Sequence, residues 1–135
     1  MIHEFNTKDM VDILCKDLST IQDKEGVNTA ISLTISDTNI TFPCRIIDAP
    51  IEIINTTDRA IPILKTFQVN IEHWDSEPKK CIEMACNTDR KLQLRNFVRI
   101  NSSQITLDEV TKKYKFITNY EVRYNALTNS FSYIK

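Results

Sequence analysis

Glycine is almost absent: Gly26 is the only one in 135 residues. A Gly-x-Ser-x-Gly nucleophile turn, a phosphate-cradling loop and a dinucleotide fingerprint each need several glycines, so all three are excluded. Histidine is nearly as scarce. His3 and His73 are the only two, and neither lies near a serine or cysteine in a nucleophile setting. His73 could act as a base beside Asp75, but an isolated histidine closing an apolar run next to Trp74 reads as a structural group. The cysteines Cys15, Cys44, Cys81 and Cys86 contain no Cys-x-x-Cys, which removes the usual zinc and thioredoxin patterns and leaves reduced, partly buried thiols in a cytosolic setting. No apolar run approaches the roughly 20 residues of a membrane-spanning helix. The opening Met1-Ile-His-Glu-Phe-Asn also lacks the basic-then-apolar order of a secretory signal. The Asn-x-Ser/Thr tripeptides at Asn39, Asn55 and Asn101 are therefore read as chance matches in an Asn- and Thr-rich chain.

An excess of one charge is missing too. With 17 Lys and Arg against 18 Asp and Glu, the formal net charge is −1, so no strong field draws the chain to nucleic acid or to an anionic membrane. What remains is the composition of a folded protein, 41% hydrophobic and 26% charged, at a length that suits one domain spanning residues 1–135.

Periodicity gives the elements. Met10, Ile13, Leu14, Leu18 and Ile21 place one apolar stripe on a helix from Thr7 to about Lys24, with Asn6 as N-cap and Gly26 at its end. Alternation predicts strands over Asn28–Ile35, Ile40–Ile47, Ile51–Ile54, Ile63–Trp74, Phe97–Ile100 and Tyr114–Tyr124. Asp75 or Ser76 caps a second helix, Pro78 suits its first turn, and it runs to about Arg95 with Cys81, Ile82, Ala85, Thr88 and Leu92 buried. Residues Thr106 to Thr111 read as a turn or a single helical turn, and the tail from Thr128 to Lys135 orders only if something pairs with it. The order suits an α+β fold: an antiparallel sheet of about four to six strands with two helices packed on one face.

Two constellations carry a possible chemistry. Asp75 with Glu77-Pro-Lys79 loosely resembles the acidic and Glu-x-Lys elements that hold Mg²⁺ in some nucleases. That element belongs on a strand, whereas Pro78 opens a helix here, so the carboxylates read as complements to a helix dipole. Tyr114, Phe116, Tyr120 and Tyr124 could stack on bases, but a buried sheet face accounts for them equally well. Cys81 and Cys86 point to different flanks of the second helix. No catalytic residue, metal ligand or cofactor site is expected.

The strongest pattern is Asp108-Glu-Val-Thr-Lys-Lys-Tyr-Lys115 followed by Tyr120-Glu-Val-Arg-Tyr-Asn-Ala-Leu-Thr-Asn-Ser-Phe131, preceded by Thr66–Trp74, the helix Lys79–Leu92 and Asn96-Phe-Val-Arg99. Together these resemble the tail terminator or tail-completion (head–tail joining) proteins of phages and phage-like particles of Gram-positive bacteria. The resemblance implies a structural subunit without catalytic residues, metal or cofactor. Identical subunits, commonly six, form a ring that caps the tail tube, terminates its polymerisation and joins it to the head or connector. The implied partners are its own copies, the tail tube protein and the sheath or connector proteins; no small-molecule substrate, membrane or sequence-specific nucleic acid is implied. The implied place is the tail end of the particle, after assembly in the bacterial cytoplasm. The apolar C-terminal residues Tyr124, Leu127, Phe131 and Tyr133 are candidate subunit contacts, with folding back onto the same subunit as the equal alternative. A nucleic-acid-binding or Mg²⁺-dependent nuclease module is the rival class. It requires cleavage that Glu77→Ala abolishes, or affinity that falls steeply with salt.

Overall fold

The computed structural model describes residues 5–23, 30–33, 41–54 and 64–132. The chain runs α1 (Thr7–Leu18), β1 (Ala30–Ser32), β2 (Cys44–Ile47), β3 (Ile51–Ile54), β4 (Leu64–Asp75), α2 (Pro78–Gln93), β5 (Val98–Ser102), β6 (Thr106–Leu107), β7 (Tyr114–Asn125) and β8 (Ser130–Ser132). Gly26 and Tyr133 lie outside the described residues.

The spine is one long ladder. β4 and β7 pair antiparallel along their whole length, from Leu64 opposite Asn125 to Asp75 opposite Tyr114. Their strict alternation specifies that register, because a one-residue slip would turn Phe67, Val69 and Ile71 out of the core. Shorter strands tile both flanks: β2 and β3 pair with β4, and β5, β6 and β8 pair with β7. β1 adds outside β2, and it does so in parallel. Among the described residues the result is an α+β fold with a mixed sheet of eight strands, rather than an antiparallel sheet of four to six. The difference has a physical source: several strands are two to four residues long and sit in series, β2 and β3 along β4 and β6, β5 and β8 along β7, so strand number exceeds sheet width.

Both helices contribute to the core on one face of the sheet. Met10, Leu14 and Leu18 from α1 and Leu92 from α2 meet Phe67, Val69, Ile71, Tyr120 and Val122 in a single cluster. A second, smaller cluster of Cys44, Ile46 and Trp74, with Phe42 against it, belongs to the opposite face. α1 begins with a capping box: Asn6 Oδ1 accepts from Asp9 N, and Asp9 Oδ2 accepts from Asn6 N. It ends earlier than the apolar stripe suggests. Ser19 Oγ and Thr20 Oγ1 donate to the Lys16 and Asp17 carbonyls, giving the backbone a local alternative to a further turn; Ile21 still reaches the core without being helical.

The N-cap of α2 is Glu77, not Asp75 or Ser76. Pro78 occupies the first helical position, and the residue before a proline must be extended, as Glu77 is at φ −124° and ψ 131°. The buried stripe of α2 is Cys81, Met84, Ala85, Thr88 and Leu92; Ile82, expected inside, is exposed. Its last turn closes at Asn96, whose φ of 67° places it in the left-handed region, while Phe97 N–H reaches the Leu92 carbonyl. Asparagine thus takes a role that glycine commonly fills, and Asn129 at φ 50° does the same in the turn before β8.

Candidate functional site

The helix-covered face buries polar groups as well as apolar ones. Arg45 is fully buried in β2, where its guanidinium donates to both Asp23 carboxylate oxygens at 2.6 and 2.9 Å, to the Met84 carbonyl at 2.8 Å and to Thr88 Oγ1 at 2.8 Å. His73, beside it across the strand pair, has Nδ1 3.0 Å from the Phe116 carbonyl and Nε2 2.8 Å from Thr88 Oγ1. Burial first, and then the Arg45 charge, depress its pKa to about 3, so the ring stays neutral. Both ring nitrogens are engaged with protein groups, and the imidazole is shut away from solvent. This is the structural histidine that the sequence suggested.

The carboxylates at the start of α2 are placed as local structure. Asp75 is mostly buried; its Oδ1 accepts from Glu77 N–H at 3.0 Å and from Ser76 Oγ at 3.3 Å. Among the described residues, no group of three His, Cys, Asp or Glu side chains is placed to hold a metal ion. Tyr120 and Tyr124 face the core, so neither belongs to an open stacking platform. Burial, and then the hydrogen bond to Asp89, push the Tyr120 phenol well above its ordinary range. The four cysteines are free thiols, with Cys81 buried and Cys86 exposed. Burial pushes Cys44 up to about 12 and Cys81 up to about 11, which keeps both protonated.

The C-terminal candidates separate into two groups. Tyr124 stacks on Phe5 with ring centres 4.2 Å apart, and its hydroxyl donates to Asn129 Oδ1. Phe131 packs edge-on against Phe5 at 5.6 Å and lies 5.2 Å from Tyr124 and 6.0 Å from Phe97. Asn96 Nδ2 donates to the Phe131 carbonyl, tying β8 to the end of α2. These two aromatics thus serve their own subunit's core. Leu127, at the turn between β7 and β8, is 59% exposed and remains available for an outside contact.

Among the described residues, no helix covers the other face of the sheet. Along β4 and β7 it presents Thr66, Gln68, Asn70 and Glu72 beside Ile117, Asn119, Glu121 and Arg123. Gln68 donates to Glu121 at 2.8 Å, and Trp74 Nε1 donates to Glu72 at 2.9 Å. Burial and a hydrogen bond to Glu72 raise the Asp48 carboxyl to about 7, against a lowering pull from Lys115. Arg123 Nε is buried without a hydrogen-bond partner. Apolar side chains stand at both flanks: Ile51 and Ile53 on β3, and Val98 with Ile100 on β5. Every residue of β5 is exposed. Beyond β3 and β5 no described strand continues the sheet. Periodicity could not single out these edges, because exposure of a strand's outer side depends on which strand ends up last in the order.

No protein-family model and no curated protein matches the chain. No helix among the described residues is long and apolar enough to cross a membrane.

Proposed function

We propose that the protein is a structural subunit of the neck of a phage or phage-like particle, assembling into a ring that caps the tail tube, terminates its polymerisation and joins it to the head or connector. The observation that carries the reading is the sheet, which among the described residues has an open edge at β3 and another at β5, each bearing exposed isoleucine or valine. Unpaired edges of this kind invite pairing with another chain, and head-to-tail pairing of identical copies generates a ring where the rotation between neighbours closes. The resemblance of Asp108–Lys115 and Tyr120–Phe131 to tail-completion proteins names the particle. The near-neutral charge fits protein partners rather than a nucleic acid.

Native mass spectrometry and negative-stain imaging of the purified protein test the reading directly. Closed annular oligomers are expected, and they should stop the growth of a co-incubated tail tube protein. A strictly monomeric protein that leaves tube growth unchanged would remove it.

A further inference from the structure

We propose that the ring is held together by edge-to-edge strand pairing, with the outer edge of β5 on one copy seated against the outer edge of β3 on the next. The inference rests on the ring reading and deepens it by naming the junction.

Three independent features of the sheet agree. The first is direction. β3 is antiparallel to β4, β4 to β7 and β7 to β5, so β3 and β5 run opposite ways. When copies repeat side by side with their strands aligned, β5 of one meets β3 of the next antiparallel, the pairing that two short edge strands make most readily.

The second is level. Ile51 is opposite Gln68, Gln68 opposite Glu121 and Glu121 opposite Val98, so the two edges lie at the two ends of one row across the sheet. Both edges place apolar side chains on the helix-free face: Ile51, at 54% exposure, and Ile53, at 42%, on β3, and Val98, at 37%, on β5. Side-by-side pairing brings these three together and removes them from water.

The third is charge. On the helix-covered side, β3 carries Glu52 and β5 carries Arg99. Each is already held within its own subunit, Glu52 by Lys65 at 3.1 Å and Arg99 by Asp89 at 3.0 Å, and each side chain keeps about a quarter to a third of its surface exposed. A carboxylate accepts more than one hydrogen bond and a guanidinium donates five, so both retain capacity for a second partner across the junction. With Val98 level with Ile51, Glu52 and Arg99 stand on one face as diagonal neighbours, within reach of long side chains, whereas two copies of β5, or two of β3, would bring like charges together. The register shifts at Ile100, between Arg99 and Asn101, which limits the length of β5 that can pair.

The test uses two full-length variants, Ile51→Lys/Ile53→Lys and Val98→Lys/Ile100→Lys, all at exposed positions, with circular dichroism checking the fold. In native mass spectrometry each variant alone should fall from ring mass to monomer mass. Mixed in equal amounts, they should give a one-to-one heterodimer, since one keeps an intact β5 edge and the other an intact β3 edge. If a double variant fails to fold, Ile53→Lys and Val98→Lys alone read the same junction. Rings that persist in either folded variant, a homodimer formed by one variant alone, or no heterodimer on mixing would each overturn the junction while leaving the ring reading in place. A wild-type protein that is monomeric throughout would overturn the ring reading itself.

Discussion

Two arginines on opposite faces of one sheet behave oppositely. Arg45, on the helix-covered face, is fully buried and has its guanidinium satisfied by a carboxylate, a carbonyl and a hydroxyl. Arg123, on the helix-free face, has a buried Nε with no partner. The first face is finished within one subunit, and its polar groups answer one another. The second is not finished in the same sense: it keeps an unmatched donor in its middle and apolar residues at its rims. That asymmetry places structural chemistry under the helices; the contact chemistry that we propose lies away from them.

The sharpest way to break the comparison is Arg45→Met. It withdraws the Arg45 guanidinium from the Asp23 carboxylate and from Thr88, and losing one member of a buried pair costs about 3–5 kcal/mol. A urea titration should show that loss, and a change below about 1 kcal/mol would sink the claim that the network is needed. Leu14→Ala, in the fully buried stripe of α1, should cost about 3 kcal/mol in the same assay.

Acid–base behaviour sharpens the contrast further, because the two faces respond to pH with opposite sign. The fold holds His73 near 3 against an ordinary 6.5, so its contribution is complete above pH 6.5 and is lost as pH falls toward 3. The fold raises Asp48 from 3.8 to about 7, so that contribution is complete below pH 3.8 and is lost as pH rises toward 7. Melting temperatures of Asp48→Asn should therefore rise more steeply with pH between 3.8 and 6.5 than those of the unmodified protein. Parallel curves would show that Asp48 is not held protonated.

The smallest effect is expected at Arg123→Met, which removes the unmatched donor and should shift stability by no more than about 0.5 kcal/mol. A loss as large as that for Arg45→Met would erase the distinction between the faces. Deleting residues 129–135 is a poor probe of subunit contact, because it removes β8 and Phe131 from the core. Leu127→Ser is the cleaner one, with stability unchanged and any loss of assembly assignable to contact.

Much of the architecture was legible because the long strands alternate. The expected strand over Ile63–Trp74 became Leu64–Asp75, and the one over Tyr114–Tyr124 became Tyr114–Asn125. β2 was only half legible. All four of its residues are buried, and alternation cannot announce a strand covered on both faces. Arg45 was missed for a related reason: a lone arginine in a short strand reads as solvated until Asp23, 22 residues earlier in the chain, is brought to it. In α2 the spacing put Ile82 in the buried stripe and passed over Met84, and the rotation of the helix buries Met84 instead. Of the C-terminal candidates for subunit contact, Tyr124 and Phe131 pack on Phe5, as the fold-back alternative had it.

The twelve-residue ladder between β4 and β7 also has a consequence for how the chain reaches its shape. Its strands are separated in sequence by α2, β5 and β6, so pairing Asp75 with Tyr114 closes a loop that contains all three. Closing that loop costs entropy before most of the ladder's contacts exist, and a fold dominated by such distant partners should be slow to assemble. Once the first rungs form, each further rung brings adjacent residues together at little extra cost. β2, β3 and β5 add to the flanks of this ladder, and β8 joins β7 through the short turn after Asn125. β5, exposed along its whole length, should fray first, and in native-state exchange its amides should be less protected than those of β4 and β7.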